Sequence, residues 1–339
     1  MLTTVDAAKS WCAFALFASY FLCLAGHAVG AEKITAIYSS YSVSYSLPWI
    51  AREAGLFRKH NVDADLVYIP SSGIATAALL SGEGDVALAG GVGFVRAFAQ
   101  GATDLVFIGS FKNYLTFAVM GKPELQKPEA LKGKRVGVTR LGSNSHYFLL
   151  QLLRKVGYEP GRDVTILQIG SENEVFAALT NGAIDAGVVP PPLDARAVAQ
   201  GFRYVYAAFG PEQGIPYPAA NIVTRRSLVE KRPAIFTAFM RAIAEASRIL
   251  HTDREFSYKV FEKLFRVSDR KLVEHAYNAE IKVMERRFDI STKAIQAVLD
   301  DAAKTDPKAA KVNVADMIDR RYLDEMDKSG FFSRVWGEK

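Results

Sequence analysis

Apolar and polar stretches alternate along residues 34–91 at the spacing of alternating strands and helices. Residues 34–38 (ITAIY) form a β-branched run that is typical of a buried strand. A loop rich in hydroxyl groups follows, and Pro48 and Gly55 suit the start and the end of a helix. Two more strands around a second helix complete the stretch, over residues 64–69, 74–80 and 85–89. This order predicts parallel βαβ units with right-handed crossovers.

A second copy of part of this pattern lies one hundred residues further on, where residues 171–191 (SENEVFAALTNGAIDAGVVPP) align without a gap with residues 71–91 (SSGIATAALLSGEGDVALAGG). The shared positions include Ser71, Ala78, Leu79, Gly82 and Asp85, which recur as Ser171, Ala178, Leu179, Gly182 and Asp185. The flanking segments also follow the same order, with a strand over residues 135–139, a turn, a helix over 146–156 and a strand over 164–169. An internal repeat of this kind favours duplication over two unrelated βαβ units.

The repeat predicts an α/β fold of two lobes, each a parallel-rich sheet flanked by helices and joined by two hinge crossings. Residues 32–126 would begin lobe one, residues 127–214 would form lobe two, and residues 215–339 would return to lobe one with C-terminal helices. The strand over residues 116–120 is assigned to lobe one, before the break at Gly121. In the C-terminal part, Ser268 and Ser291 are predicted N-caps and a last helix is predicted over residues 314–327.

The N-terminal segment has the pattern of a secretory signal peptide. Residues 11–25 are apolar but too short to span a bilayer comfortably, and small residues precede the first charged pair, which predicts a signal peptide over residues 1–31. An uncleaved anchor is the alternative. Both cysteines, Cys12 and Cys23, fall in this segment, so the mature chain would have no disulfide, no thiolate metal site and no cysteine nucleophile.

The composition is that of an ordinary globular chain. Of 339 residues, 50% are hydrophobic and 23% are charged, which is enough apolar mass for two cores. The formal net charge of +6 comes from scattered basic residues, and no basic stripe with aromatic residues predicts nucleic-acid binding.

Five loops are candidates for a ligand site, because ligands of open α/β sheets lie beyond the carboxyl ends of the strands. These loops consist mainly of residues with short side chains and are rich in serine or glycine. Backbone amides at a helix start, with serine hydroxyls beside them, can bind an acidic group. We expect first-lobe contacts from Ser39, Tyr41, Tyr45, Ser72, Gly73 and Gly91, and second-lobe contacts from Ser143, Asn144, Ser145, His146 and Asp194. Simple helix capping by Ser72 and Ser143 is the alternative for those two residues. Tyr38 and Trp49 are predicted to be core residues, whereas Tyr41 and Tyr45 could instead form an aromatic wall.

Several catalytic motifs are absent or incomplete in the sequence. The run that begins at Gly91 places Arg96 where a dinucleotide fingerprint needs its third glycine, and Gly133-Lys134 lacks the remainder of a P-loop. The histidines have no metal-ligand spacing, and no Gly-x-Ser-x-Gly elbow is present. We therefore expect no cofactor, no metal and no enzymatic activity.

The segments 47–57 (LPWIAREAGLF), 78–87 (ALLSGEGDVA) and 133–138 (GKRVGV), with the pairs Gly142-Ser143 and Gly182…Asp185, resemble a known family. They are similar to the periplasmic solute-binding proteins of nitrate/sulfonate/taurine-type ABC importers, in the wider SsuA/THI5-like and NMT1-like group. The resemblance covers essentially the whole mature chain. It implies a type II periplasmic-binding-protein fold with the solute in the cleft between the lobes. The THI5 enzyme branch carries a cysteine-rich motif that the mature chain lacks.

The resemblance therefore implies a monomeric periplasmic protein that captures a small anionic organic or nitrogen- or sulfur-containing solute and delivers it to an ABC permease and ATPase. An exported enzyme on the same scaffold, with His146 or Asp194 as its base, is one alternative. A pyrimidine-precursor-type protein and a sensor-input module are the others.

Overall fold

The computed structural model describes residues 30–209 and 215–338. The predicted signal peptide lies outside these residues except for its last two positions, and part of the second predicted hinge crossing also lies outside them. The strands are β1 (Glu32–Tyr38), β2 (Val62–Tyr68), β3 (Val86–Ala89), β4 (Leu105–Leu115), β5 (Ala118–Gly121), β6 (Arg135–Val138), β7 (Thr165–Gln168), β8 (Ala186–Val189), β9 (Arg203–Ala207) and β10 (Ile215–Arg225).

The described helices lie mostly between these strands and, after β10, in a C-terminal group. They are α1 (Leu47–Glu53), α2 (Leu56–Lys59), α3 (Ser72–Ser81), α4 (Val92–Ala99), α5 (Asn144–Lys155), α6 (Glu172–Thr180), α7 (Leu193–Ala199), α8 (Arg226–Lys231), α9 (Pro233–Thr252), α10 (Arg254–Phe265), α11 (Arg270–Glu280), α12 (Thr292–Ala303), α13 (Arg321–Lys328) and α14 (Phe331–Trp336).

Two five-stranded sheets have the same construction. Their strand orders are β2-β1-β3-β10-β4 and β7-β6-β8-β5-β9. In each sheet one strand runs antiparallel to both of its neighbours, β10 in the first and β5 in the second. The two-lobed α/β prediction is confirmed, with mixed sheets in which the parallel β1–β3 and β6–β8 pairs lie at equivalent positions.

The strand pairing moves one predicted lobe boundary. The sequence places the strand over residues 116–120 in lobe one, but Ala118 pairs with Val189 of β8 and with Ala207 of β9 in the second sheet. The first crossing therefore lies at Thr116 and Phe117, not after residue 126. Gly121 ends the strand, as the sequence predicts, but the backbone N–H and C=O groups of β5 are paired in lobe two. Glycine and proline positions in the sequence indicate where a strand ends and do not indicate which sheet it joins.

The repeated Gly-x-x-Asp pattern has a structural explanation. Asp85 and Asp185 each accept a hydrogen bond from a backbone N–H of the neighbouring strand, that of Thr35 at 2.9 Å and that of Arg135 at 3.0 Å. Gly82 and Gly182 end the preceding helices with φ of +87° and +73°, a region that favours glycine. The two copies thus use the same residues to end a helix and to join its following strand to the sheet.

The C-terminal helices differ from the prediction in two places. Ser291 caps α12 as predicted, with its Oγ accepting from the N–H of Ala294 at 3.1 Å. The cap of α11 is Asp269 instead of Ser268. The predicted helix over residues 314–327 is interrupted, because Asp319 donates its N–H to the carbonyl of Phe107 in β4 at 2.9 Å, and α13 begins only afterwards.

Candidate functional site

A cleft between the two sheets collects the loops that follow the carboxyl ends of several strands. It encloses about 550 Å³ of space, including the part that is open to solvent. The first lobe contributes the segments after β1 and β2 and the end of β4, and the second lobe contributes the segments after β6, β7 and β8. Its polar lining consists of Ser39, Ser40, Ser42, Tyr45, Tyr68, Ser71, Ser72, Lys112, Thr116, Thr139, Ser143, Asn144, Ser145, Ser171, Glu172 and Glu280.

The start of α3 presents two buried serine hydroxyls to this cleft. The Oγ atoms of Ser71 and Ser72 have no hydrogen-bond partner among the described residues, although the two residues are only 8% and 3% exposed. Ser71 also has a φ of +77°, which is strained for a residue with a side chain. Buried polar groups are normally satisfied, so two orphan hydroxyls beside the free N–H groups of a helix start indicate a place for a ligand with acceptor oxygens.

The start of α5, on the opposite side, is satisfied internally. Ser145 Oγ accepts from the N–H of Thr139 at 3.0 Å, and Ser143 Oγ accepts from the N–H of His146 at 3.4 Å. Capping therefore explains Ser143. Asn144 joins the lobes: its Nδ2 donates to the carbonyl of Ala219 at 3.1 Å, and its Oδ1 accepts from the Tyr217 hydroxyl at 2.8 Å.

A buried ion pair forms the floor of the cleft within the first lobe. Lys112 Nζ lies 3.3 Å from Glu280 Oε1 and donates to Thr116 Oγ1 at 2.7 Å. Glu280 also accepts from the N–H of Ser44 at 2.7 Å and from the hydroxyl of the same residue. Burial lowers the pKa of Lys112, and Glu280 opposes that shift. The ammonium is thus compensated inside the protein.

Glu172, the first residue of α6, is the remaining carboxylate of the cleft. Its Oε2 accepts a hydrogen bond from Ser40 Oγ of the opposite lobe at 2.7 Å. Burial raises the pKa of Glu172 to about 7, and the nearby Glu280 contributes in the same direction. The group therefore changes charge close to neutral pH.

Six of the eleven predicted site residues line the cleft: Ser39, Tyr45, Ser72, Ser143, Asn144 and Ser145. Tyr45 is buried, with its hydroxyl donating to the carbonyl of Ala219 at 2.7 Å. Tyr41 lies further out, where it packs against Tyr68 and borders a second cavity that shares Glu172 with the first.

The other four predicted residues lie outside the lining. Gly73 is exposed on α3. The N–H of Gly91 is already donated to the carbonyl of Pro218 at 2.7 Å. His146 Nδ1 accepts from the N–H of Gly142 at 3.0 Å.

Asp194 joins the two lobes at another place. It is fully buried, and its Oδ2 accepts from the Tyr204 hydroxyl at 2.9 Å and lies 2.7 Å from His275 Nε2 of α11. This hydrogen bond raises the pKa of His275.

Sequence reasoning missed the three charged residues of the cleft. Glu172 stands at the repeat position of Ser72, so the alignment of the two copies could have found it. Lys112 is an isolated charge in the otherwise apolar and neutral β4, which was also a usable signal. No sequence signal identified Glu280, because it is far from both in the chain.

Neither a metal centre nor a membrane span was found in the described part of the chain. Residues 30–209 and 215–338 contain no group of three or more His, Cys, Asp or Glu side chains that could hold a metal ion. No helix of these two segments is long and apolar enough to cross a membrane.

Comparison with known proteins identifies the family of this chain. Residues 46–255, more than half of the chain, match the family described as NMT1/THI5 like. The chain belongs to the NMT1/THI5-like family. Among its curated relatives is the taurine-binding periplasmic protein of Escherichia coli (strain K12), which is 27% identical over 210 residues, or 62% of this chain. The match spans 64% of that relative's length.

Solved structures of other proteins share the fold of this family member. The alkanesulfonate-binding protein SsuA from Xanthomonas axonopodis pv. citri, bound to MOPS, superimposes with a TM-score of 0.71 at 22% identity, over 86% of this chain and all (100%) of that one. The nitrate-binding protein NrtA from Synechocystis PCC 6803 gives a TM-score of 0.72 at 14% identity, over 88% of each chain. The periplasmic-binding-protein fold predicted from the sequence is thus confirmed.

Proposed function

We propose that this chain is the solute-binding component of an ABC importer. It captures a small anionic solute, organic or containing nitrogen or sulfur and of the nitrate, sulfonate or taurine type, between its lobes and delivers it to a membrane permease. The observation that carries this proposal is the pair of buried, unpartnered hydroxyls of Ser71 and Ser72 at the start of α3, in a cleft lined from both lobes.

The acidic group of the solute would lie at the start of α3. Its oxygens would accept from the Ser71 and Ser72 hydroxyls and from the free N–H groups of the first helical turn, where the helix dipole favours negative charge. Contacts from lobe two would come from the side that carries Glu172 and Ser145. A ligand that contacts both lobes favours the closed arrangement, because only that arrangement offers both sets of contacts.

The remaining parts of the proposal are supported by the family and by the sequence of the N-terminal segment, and the monomeric state stays a prediction. The protein acts as a monomer in the periplasm, after export with the segment 1–31 as its signal, and its macromolecular partners are the permease and ATPase subunits. Its relative from Escherichia coli is named as a periplasmic taurine-binding protein. The two candidate bases of an exported enzyme, His146 and Asp194, do not line the cleft.

Ligand capture tests this proposal. The purified protein is incubated with a small-molecule extract, freed of unbound compounds and denatured, and the released molecules are identified by mass spectrometry. A thermal-shift panel of nitrate, sulfonates, carboxylates and pyrimidines runs in parallel, where a ligand at one hundred times its Kd adds about 2.7 kcal/mol of stability.

A double substitution, Ser71→Ala with Ser72→Ala, should abolish both signals. Ser81→Ala, at the exposed far end of the same helix, is the matched control and should leave them unchanged. The proposal fails if no compound is captured and none shifts the unfolding temperature.

A further inference from the structure

We infer that Glu172 is a specificity-determining residue and that the solute presents a protonated nitrogen group to it. This inference deepens the proposed function and rests on it. Small anions without a hydrogen-bond donor, such as nitrate or a simple alkanesulfonate, would then be poor ligands of this chain.

The charges of the cleft lead to this conclusion. Apart from its two tyrosines, the lining contains three ionisable side chains, namely Lys112, Glu172 and Glu280. The two lining tyrosines, Tyr45 and Tyr68, stay neutral because burial raises the pKa of each. One basic side chain faces two acidic ones, so the excess charge is negative once Glu172 has lost its proton, and a purely anionic solute would have to overcome it.

The Lys112 ammonium is not available to neutralise the charge of such a solute. Lys112 is only 5% exposed and is held by Glu280 and Thr116 at 3.3 and 2.7 Å. A solute anion that recruited this ammonium would leave Glu280 as a buried carboxylate without its cation, which is a strongly unfavourable state.

Glu172, in contrast, can accept further hydrogen bonds. Among the described residues, Ser40 is its one hydrogen-bond partner, and the bond reaches only Oε2. A carboxylate accepts about four hydrogen bonds. No described cation forms a salt bridge with Glu172, and burial raises its pKa to about 7 although the nearby Lys112 acts in the opposite direction. An ammonium group of the solute would supply both the missing charge and the missing donors.

The position of Glu172 in the repeat supports a role in recognition. Its counterpart in the first lobe is Ser72, whose hydroxyl donates or accepts without carrying charge. The equivalent positions at the starts of α3 and α6 therefore differ in the group that they can bind. Ser72 of α3 can donate to an acidic oxygen, and Glu172 of α6 can accept from a basic nitrogen.

Calorimetric titration with matched probe pairs tests the inference. The pairs are 2-aminoethanesulfonate with 2-hydroxyethanesulfonate, and 3-aminopropanoate with 3-hydroxypropanoate. The wild-type chain should bind at least one amine member about tenfold or more tightly than its hydroxyl analogue, since hydrogen bonds to charged groups are the stronger ones.

Two variants separate recognition from contact between the lobes. Glu172→Gln keeps the size of the side chain and should reduce the preference for the amine to about threefold or less. Ser40→Ala removes the bond between the lobes but keeps the carboxylate, and it should retain the preference.

Three outcomes would overturn the inference: equal binding of both members of each pair, a preference that survives Glu172→Gln, or binding of no amine member at all. Captured compounds that lack a basic nitrogen would overturn it as well, yet they would leave the proposed function standing. A chain that captures nothing fails the proposed function itself, so the two failures are distinguishable.

Discussion

The buried pair of Lys112 and Glu280 should make the first lobe sensitive to the loss of either partner alone. Replacing Glu280 by alanine leaves the Lys112 ammonium buried without its counter-charge and removes the acceptor of the Ser44 N–H. Breaking a buried ion pair from one side costs about 3–5 kcal/mol, so we expect Glu280→Ala to lower the free energy of unfolding by about 4 kcal/mol.

A control on the same helix isolates burial as the cause. Glu274 of α11 pairs with Arg270, but 47% of its side chain is exposed. Glu274→Ala should therefore cost about 1 kcal/mol or less. Urea unfolding at pH 7, followed by circular dichroism, measures both variants through their midpoints and slopes.

Two further measurements test the mechanism. The double variant Lys112→Met with Glu280→Met removes both charges. It should recover about half or more of the stability that Glu280→Met alone loses, since apolar replacement of a whole buried pair is close to neutral. The stability of Glu280→Ala should also rise with pH above 7. Its folded state would keep a Lys112 pKa lowered by burial, so the unfolded state binds more protons in that range. A Glu280→Ala cost no larger than that of the Glu274→Ala control would refute the reasoning.

Three other outcomes follow from the same structure. Because the pKa of Glu172 rises from 4.5 to about 7 on folding, wild-type stability without ligand should fall by about 3 kcal/mol as pH rises through that window, and urea unfolding of Glu172→Gln should lack this component. Ser71→Gly relieves the φ of +77° and should raise the stability of the ligand-free chain by about 1 kcal/mol, while calorimetry shows weaker ligand binding because one hydroxyl is lost. The Asp194–His275 contact, whose His275 pKa is raised, is fully present below the ordinary pKa of histidine and is lost as pH rises through the raised value. Urea unfolding should therefore show a loss of about 1 kcal/mol or less as pH rises above 6.5, because a third (34%) of the His275 side chain is exposed, and His275→Gln should lack this component.

Local sequence signals predicted the elements that local chemistry decides. The glycines that end α3 and α6, the aspartates that follow them and the serine-rich loops after the strands were all visible in the repeat. They act within their own βαβ unit, so their neighbours in space are also their neighbours in the chain.

Choices between distant partners could not be predicted in this way. The strand that begins at Ala118 pairs with β8 and β9 instead of the sheet it follows, and the helix predicted over residues 314–327 is interrupted by pairing with β4. The charged floor of the cleft brings together Lys112 and Glu280 from elements far apart in the chain. Only the folded backbone places such residues together.

The distance between the lobes, measured with and without ligand, tests the central claim most directly. Spin labels can be introduced at Ala177→Cys on α6 and Lys259→Cys on α10, both exposed positions, in the chain without residues 1–31, which carries no other cysteine. Pulsed electron spin resonance should show a broad or longer distance distribution without ligand and a single shorter distance with a captured solute. An unchanged distribution at saturating concentrations of a proven ligand would contradict the account.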